Sequence, residues 1–131
     1  MTGFSNSGKV KIFMKTFGHK VHDTPTFPDE DTSKLGMLLL EEELAEFYKA
    51  LAEKDIIGIA DGLTDLLYVV YGIGHSFGID LDPLFTEVHK SNMSKLDDEG
   101  KPIYRKDGKI LKGPSYKPPD IEGVLRKYKN K

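Results

Sequence analysis

Residues 38–47 read LLLEEELAEF, with Glu42, Glu43 and Glu46 spaced three and four apart. On a helix that spacing sets all three carboxylates off one side. Like charges one turn apart disfavour a helix by about 0.2–0.5 kcal/mol per pair unless a cation neutralises them. Glu41 lies elsewhere on the helix and faces solvent. A second acidic strip runs through ADGLTDLLYVVYG, residues 60–72, where Asp61, Asp65, Tyr68 and Gly72 follow i, i+4, i+7 and i+11. The rest of that stretch is apolar, and an ionised aspartate in such company is costly unless paired or metal-bound. Asp65 is the sharper case, hemmed by Leu63, Leu66 and Leu67, and aspartate's poor helix propensity does not account for it. Two such faces meeting across a bundle make an all-oxygen site, which suits Mg²⁺ or Mn²⁺. A di-iron bundle needs Glu-x-x-His pairs, and none of His19, His22, His75 and His89 follows a glutamate by three. The plainer reading is a solvated face with helix salt bridges, which would cover the glutamates taken alone and Asp61 near a helix start.

Further along, EVHKSNMSKL (87–96) offers Lys90 and Lys95 as phosphate contacts and Asn92 as an amide for sugar or phosphate. Lys109 and Lys112 could reach over phosphates or simply charge the surface. Tyr68 could orient a carboxylate, line a base pocket or fill the core; Phe13 and Phe17 could stack on a base but fit a plain core equally. GFSNSGK at 3–9 lacks the length and preceding strand of a phosphate-binding P-loop, which disfavours a kinase.

These groups need helices to position them. Phe4, Val10, Phe13, Met14 and Phe17 predict a short first helix over 4–17 ending at Gly18. Pro25 and Pro28 mark a loop over 19–33, with Thr32 or Ser33 to cap a second helix from Leu35 to Glu53. There Leu40, Leu44, Phe47 and Leu51 form a core-facing stripe. A third helix runs from Ile56 to about Phe77, apolar nearly all round and so expected in the middle of a bundle, with Gly78 capping its end. Asp82 as N-cap and Pro83 behind it open a fourth helix that carries Leu84, Phe85, Val88 and Met93 and stops near Leu96. Asp107-Gly108 is a hairpin turn between 102–105 and 109–112, and a short helix closes the chain over 121–128. The expectation is one all-α domain over 1–131, with a four-helix core at about 4–96 and an extension at 97–131 that contains a short hairpin.

The 131 residues and 14.7 kDa allow one core, which oligomerisation would help to complete. Net charge is −2, but eleven acids and three bases crowd into 29–65 while 97–131 hold ten bases and six acids. An acidic middle with basic ends argues against a nucleic-acid surface and fits a central hard cation beside an anionic substrate; charged helix faces are the plainer source. No uninterrupted apolar run approaches the ~18 residues of a membrane span, and the first eight residues lack a signal-peptide core. The absence of cysteine excludes disulfides, zinc–thiolate sites and a thiol nucleophile, and is compatible with the cytoplasm, where the protein is expected.

LLLEEELAEF, IADGLTDLLYVVYGIG (59–74) and EVHKSNMSKL together resemble the all-α nucleoside triphosphate pyrophosphohydrolases, which include MazG-like, phosphoribosyl-ATP pyrophosphohydrolase-like and dimeric dUTPase-like proteins. The resemblance covers roughly residues 10–96, and the segment 106–120 is similar to tails of bacterial and phage members. It implies a four-helix MazG-like bundle, dimeric or tetrameric. The implied reaction cleaves a nucleoside triphosphate between its α and β phosphates with Mg²⁺ or Mn²⁺. By that resemblance Glu43, Glu46 and Asp65 ligate metal, Glu42 is the general base, and Asn92 and Lys95 bind nucleotide. The second motif is usually E-x-x-D, yet Gly62 stands where its glutamate belongs; Asp61 is the candidate replacement. No membrane or nucleic-acid partner is expected, and the base is not specified. The alternative is a non-catalytic helical protein that binds nucleotide or regulates.

Overall fold

The computed structural model describes residues 5–128; Phe4 lies outside them. The chain is all-α with one small hairpin, and it divides into two compact units that meet at Leu81 and Asp82 in the sequence.

The first unit holds three helices. Helix α1 (Asn6–Thr16) starts at Ser5, whose Oγ accepts the Gly8 N–H at 2.9 Å, and ends where Gly18 takes a left-handed φ of 76°. Helix α2 (Glu30–Ala52) begins five residues before the expected Leu35. Its cap is Asp29 rather than Thr32 or Ser33: the Asp29 carboxylate accepts the Thr32 N–H at 2.8 Å, and Glu30 and Asp31 follow in the first turn. Three acids at the positive end of the helix dipole favour this earlier start. Helix α3 (Ile56–Ser76) follows after three residues, capped by Asp55 through the Gly58 N–H. So short a link makes α2 and α3 side-by-side neighbours.

The long loop before α2 is tied to the end of α3. The His22 N–H donates to His75 O and the Thr26 N–H to Phe77 O, while His22 Nδ1 lies 2.8 Å from Ser76 O and must donate, since a carbonyl only accepts. Gly78 (φ 69°) completes the turn, and a Cβ there would fall 2.0 Å from Thr24 O, so only glycine fits. Inside, His75 Nε2 donates to Ser7 O at 2.7 Å with Ser7 Oγ 3.0 Å away, a buried link between α1 and α3.

The second unit begins with α4 (Leu81–Met93). Asp82 therefore lies inside the first turn rather than capping it, Pro83 follows where a missing N–H costs nothing, and the helix ends three residues short of Leu96. Strands β1 (Ile103–Tyr104) and β2 (Ile110–Leu111) pair antiparallel, Ile103 with Leu111 and Tyr104 with Ile110, around the Asp107-Gly108 turn. Helix α5 (Ile121–Tyr128) spans the expected residues, its start held by Asp120 through the Gly123 N–H.

The apolar faces are less covered than periodicity predicts. Among the described residues Val10, Met14, Ala50 and Leu84 are the buried apolar side chains. On the α2 stripe Leu40 and Phe47 are half-buried but Leu44 and Leu51 are exposed. Helix α3 packs against both α1 and α2, as the expected central helix does, yet Ile56, Ile57, Leu63, Leu67 and Val70 are left exposed on it, as are Phe85 and Met93 on α4. By length and composition α3 could cross a membrane.

Candidate metal centre

The approach of α2 to α3 is set by a missing side chain. Gly62 is buried on α3, and a Cβ there would stand 3.3 Å from Phe47 Cα and 3.4 Å from Phe47 N, tighter than most packed contacts. Glycine lets the two backbones close at this point. Glu43 lies one turn before Phe47 on α2, Glu46 immediately before it, and Asp65 one turn after Gly62 on α3. The helix pair consequently gathers these three acids, and one carboxylate oxygen from each falls within 4.8 Å of the others.

Electrostatically the cluster is one charge too rich. Glu43 and Asp65 are half-buried and Glu46 exposed. Glu43 Oε2 is shut from solvent with no hydrogen-bond donor. Desolvation first, then repulsion from Glu46 and Asp65, pushes the Glu43 carboxyl up to about 7. Among the described residues none of the ion pairs reaches the three acids. A buried acceptor with no donor, facing two more hard oxygens, has the chemistry of a site for a hard divalent cation.

The other sequence-predicted residues fall around this trio or apart from it. Glu42 is exposed, next to Glu43 in the chain. Asp61 is exposed one turn before Asp65 and is not part of the cluster. Tyr68, one turn after Asp65, is 41% exposed and sets its ring edge-on to Phe13 with centroids 5.5 Å apart. Both rings line a cavity of about 310 Å³ between α1, α2 and α3, walled by Met14, Leu39, Val69 and Ile73, with His19, Lys20 and Thr32 as polar lining. Leu39 is one turn from Glu43 and Val69 one turn from Asp65, so the cavity opens along the same helix pair. Phe17 lies tilted against Phe13, with ring centroids 4.6 Å apart, and is exposed.

In the second unit Lys90 and Asn92 are exposed on α4 and Lys95 is half-buried just beyond it. Lys112 is exposed, its Nζ 4.8 Å from the Tyr116 ring centre. The spacing rules missed the cavity's His19, Lys20 and Thr32, because two of them sit in a loop without periodicity. Lys20 bridges to Asp29 at 2.7 Å, and this bond, with the Thr32 N–H, holds the Asp29 carboxyl far below the usual range.

Residues 10–92 match the phosphoribosyl-ATP pyrophosphohydrolase family. The chain belongs to that family. It is also similar to uncharacterized protein L479 of Acanthamoeba polyphaga mimivirus, 35% identical over 122 residues that make up 86% of this chain and 46% of that protein. It therefore spans less than half of that relative's length. A crystal structure of a “putative NTP pyrophosphohydrolase” from Exiguobacterium sp. 255-15 is 28% identical, with 95% of this chain and 93% of that one covered at a TM-score of 0.48.

Proposed function

We propose that the protein hydrolyses a nucleoside or deoxynucleoside triphosphate between its α and β phosphates, releasing nucleoside monophosphate and pyrophosphate. The observation that carries this is the Glu43–Glu46–Asp65 cluster with its donorless buried oxygen, in a chain of a pyrophosphohydrolase family. Those three residues would hold Mg²⁺ or Mn²⁺, and Asp61 is left out of the set. When bound, such an ion supplies Lewis acidity to the phosphate oxygens.

The chain's own groups do the rest. Glu42 accepts a proton as a water oxygen bonds to the α phosphorus; the bond from that phosphorus to the bridging oxygen breaks, and pyrophosphate leaves with that oxygen. Lys90, Lys95 and Lys112 neutralise phosphate charge, Asn92 bonds sugar or phosphate, and the cavity beside Tyr68 and Phe13 takes the base by stacking. The glycine that stands in place of the motif's glutamate has a structural reason, since a Cβ at Gly62 would stand 3.3 Å from Phe47 Cα, and so it does not speak for a non-catalytic protein. The exposed leucines of α2 and α3 further support a homo-oligomer, with a second copy covering them.

Incubating the protein with Mg²⁺ and a panel of ribo- and deoxynucleoside triphosphates tests the assignment. Pyrophosphate and monophosphate are expected as products, with turnover lost in Glu43→Gln; release of orthophosphate and a diphosphate, or full turnover in the variant, would overturn it.

A further inference from the structure

The second unit carries a set of hydrogen bonds that the proposed reaction does not use. Ser91, on α4, is buried at 4% exposure, and its Oγ donates to Lys117 O at 2.7 Å. Ser94 Oγ accepts the Lys117 N–H at 2.9 Å and donates to Ser91 O at 2.6 Å. Its single proton goes to that nearer carbonyl, since Lys117 O is 3.4 Å away. The Gly113 N–H donates to Lys95 O at 2.8 Å, and a Cβ on Gly113 would lie 2.3 Å from Leu96 O. Farther along, the Asp120 N–H donates to Glu87 Oε2 at 2.9 Å.

The tail over 113–120 is thus tied to α4 at Glu87 and Ser91, and to Ser94 and Lys95 just past the helix. Pro114, Pro118 and Pro119 stiffen it between these ties. The ties bracket Lys90, Asn92 and Lys95. A helix end left alone frays, because its last carbonyls have no helical partners. Here backbone from the tail packs on that end and orders it before any ligand arrives.

We propose that residues 113–120 form a strap that fixes the turn carrying Lys90, Asn92 and Lys95, which makes Ser91, Ser94 and Gly113 positioning residues for the triphosphate. This rests on the substrate role proposed above for Lys90, Asn92 and Lys95. Fixing them in the free protein moves their ordering cost from binding into folding, so the strap acts on affinity rather than on the chemical step.

The test uses the full chain with Mg²⁺ and whichever of ATP, dATP, CTP, dCTP, dUTP and dTTP is turned over fastest. Ser94→Ala should raise KM about fivefold, the worth of roughly one hydrogen bond, and Gly113→Ala, whose methyl would be driven into Leu96 O, should raise it at least as much, each with kcat nearly unchanged. Ser94→Thr keeps the hydroxyl and should restore KM. In a Lys90→Ala/Asn92→Ala/Lys95→Ala background the rise should vanish, because the strap then has nothing to position. An equal rise in both backgrounds, an unchanged KM, or a fall in kcat matched by a lower Tm overturns the proposal. If the wild type binds a triphosphate without hydrolysing it, the same comparison is read as Kd by calorimetry; that outcome sinks the reaction alone, whereas absence of any binding sinks both.

Discussion

Glu43 sits between two other acids with one oxygen cut off from water and from any donor. A carboxyl raised to about 7 in the folded chain, against 4.5 as its ordinary value, gives a definite sign. Below pH 4.5 both folded and unfolded chains hold the proton and nothing is lost. Between 4.5 and about 7 the folded chain keeps a proton that the unfolded chain has released, so stability falls as pH rises; above 7 the loss is complete. In EDTA the Tm of the wild type should therefore drop relative to Glu43→Gln across that window, as followed by circular dichroism, and added Mn²⁺ should reverse the order at pH 8. Glu43→Gln or Asp65→Asn should also cut kcat/KM at least about 10²-fold, the usual scale for removing a group that stabilises transition-state charge. These two residues and Glu46 were legible in the sequence because helical spacing decides which carboxylates share a side. Asp61 was harder to judge, since it shares the strip with Asp65, and only the position of α2 settles how far along that strip the cluster extends.

Helix α2 meets α3 at a point where α3 has no side chain, and that decides whether two acidic strips become one cluster. Gly62→Ala sets two effects against each other. Alanine in a helix interior gains about 1 kcal/mol over glycine, but the new methyl meets Phe47 backbone 3.3 Å away and the helices must separate by a few tenths of an ångström. Tm should consequently change little while Mn²⁺ affinity, read by calorimetry, falls about tenfold, as for other changes to the shell supporting a metal site. A larger drop in Tm with intact affinity would show that the close approach matters to packing alone. The helices themselves were readable from periodicity, and α5 and the hairpin from local turn chemistry. The start of α2 was not. Thr32 and Ser33 are good caps by type, but Asp29 with Lys20 beside it is better placed, and the partner nine residues away is invisible to local rules.

At the scale of the whole chain, apolar surface is left over. Leu44 and Leu51 on α2 and Leu63, Leu67 and Val70 on α3 are exposed together, although the sequence marks them as core. Periodicity reports which residues want cover but not which polypeptide provides it. Sedimentation of the wild type should give a dimer or larger species, and Leu63→Lys with Leu67→Lys should shift it to monomer with a lower Tm; a monomeric wild type would refute the covering copy. The length of α3 has another consequence. By length and composition its 21 residues could cross a membrane, and its acidic side chains are Asp61 and Asp65. On insertion scales an aspartate near a helix centre opposes entry by about 2.5–3.5 kcal/mol. The acids proposed for chemistry thus also count against insertion of that helix into a membrane. Replacing both with leucine should raise the fraction of the chain that floats with lipid vesicles, so the proposed metal ligand Asp65 and its strip-mate Asp61 would also set how well the helix stays in water.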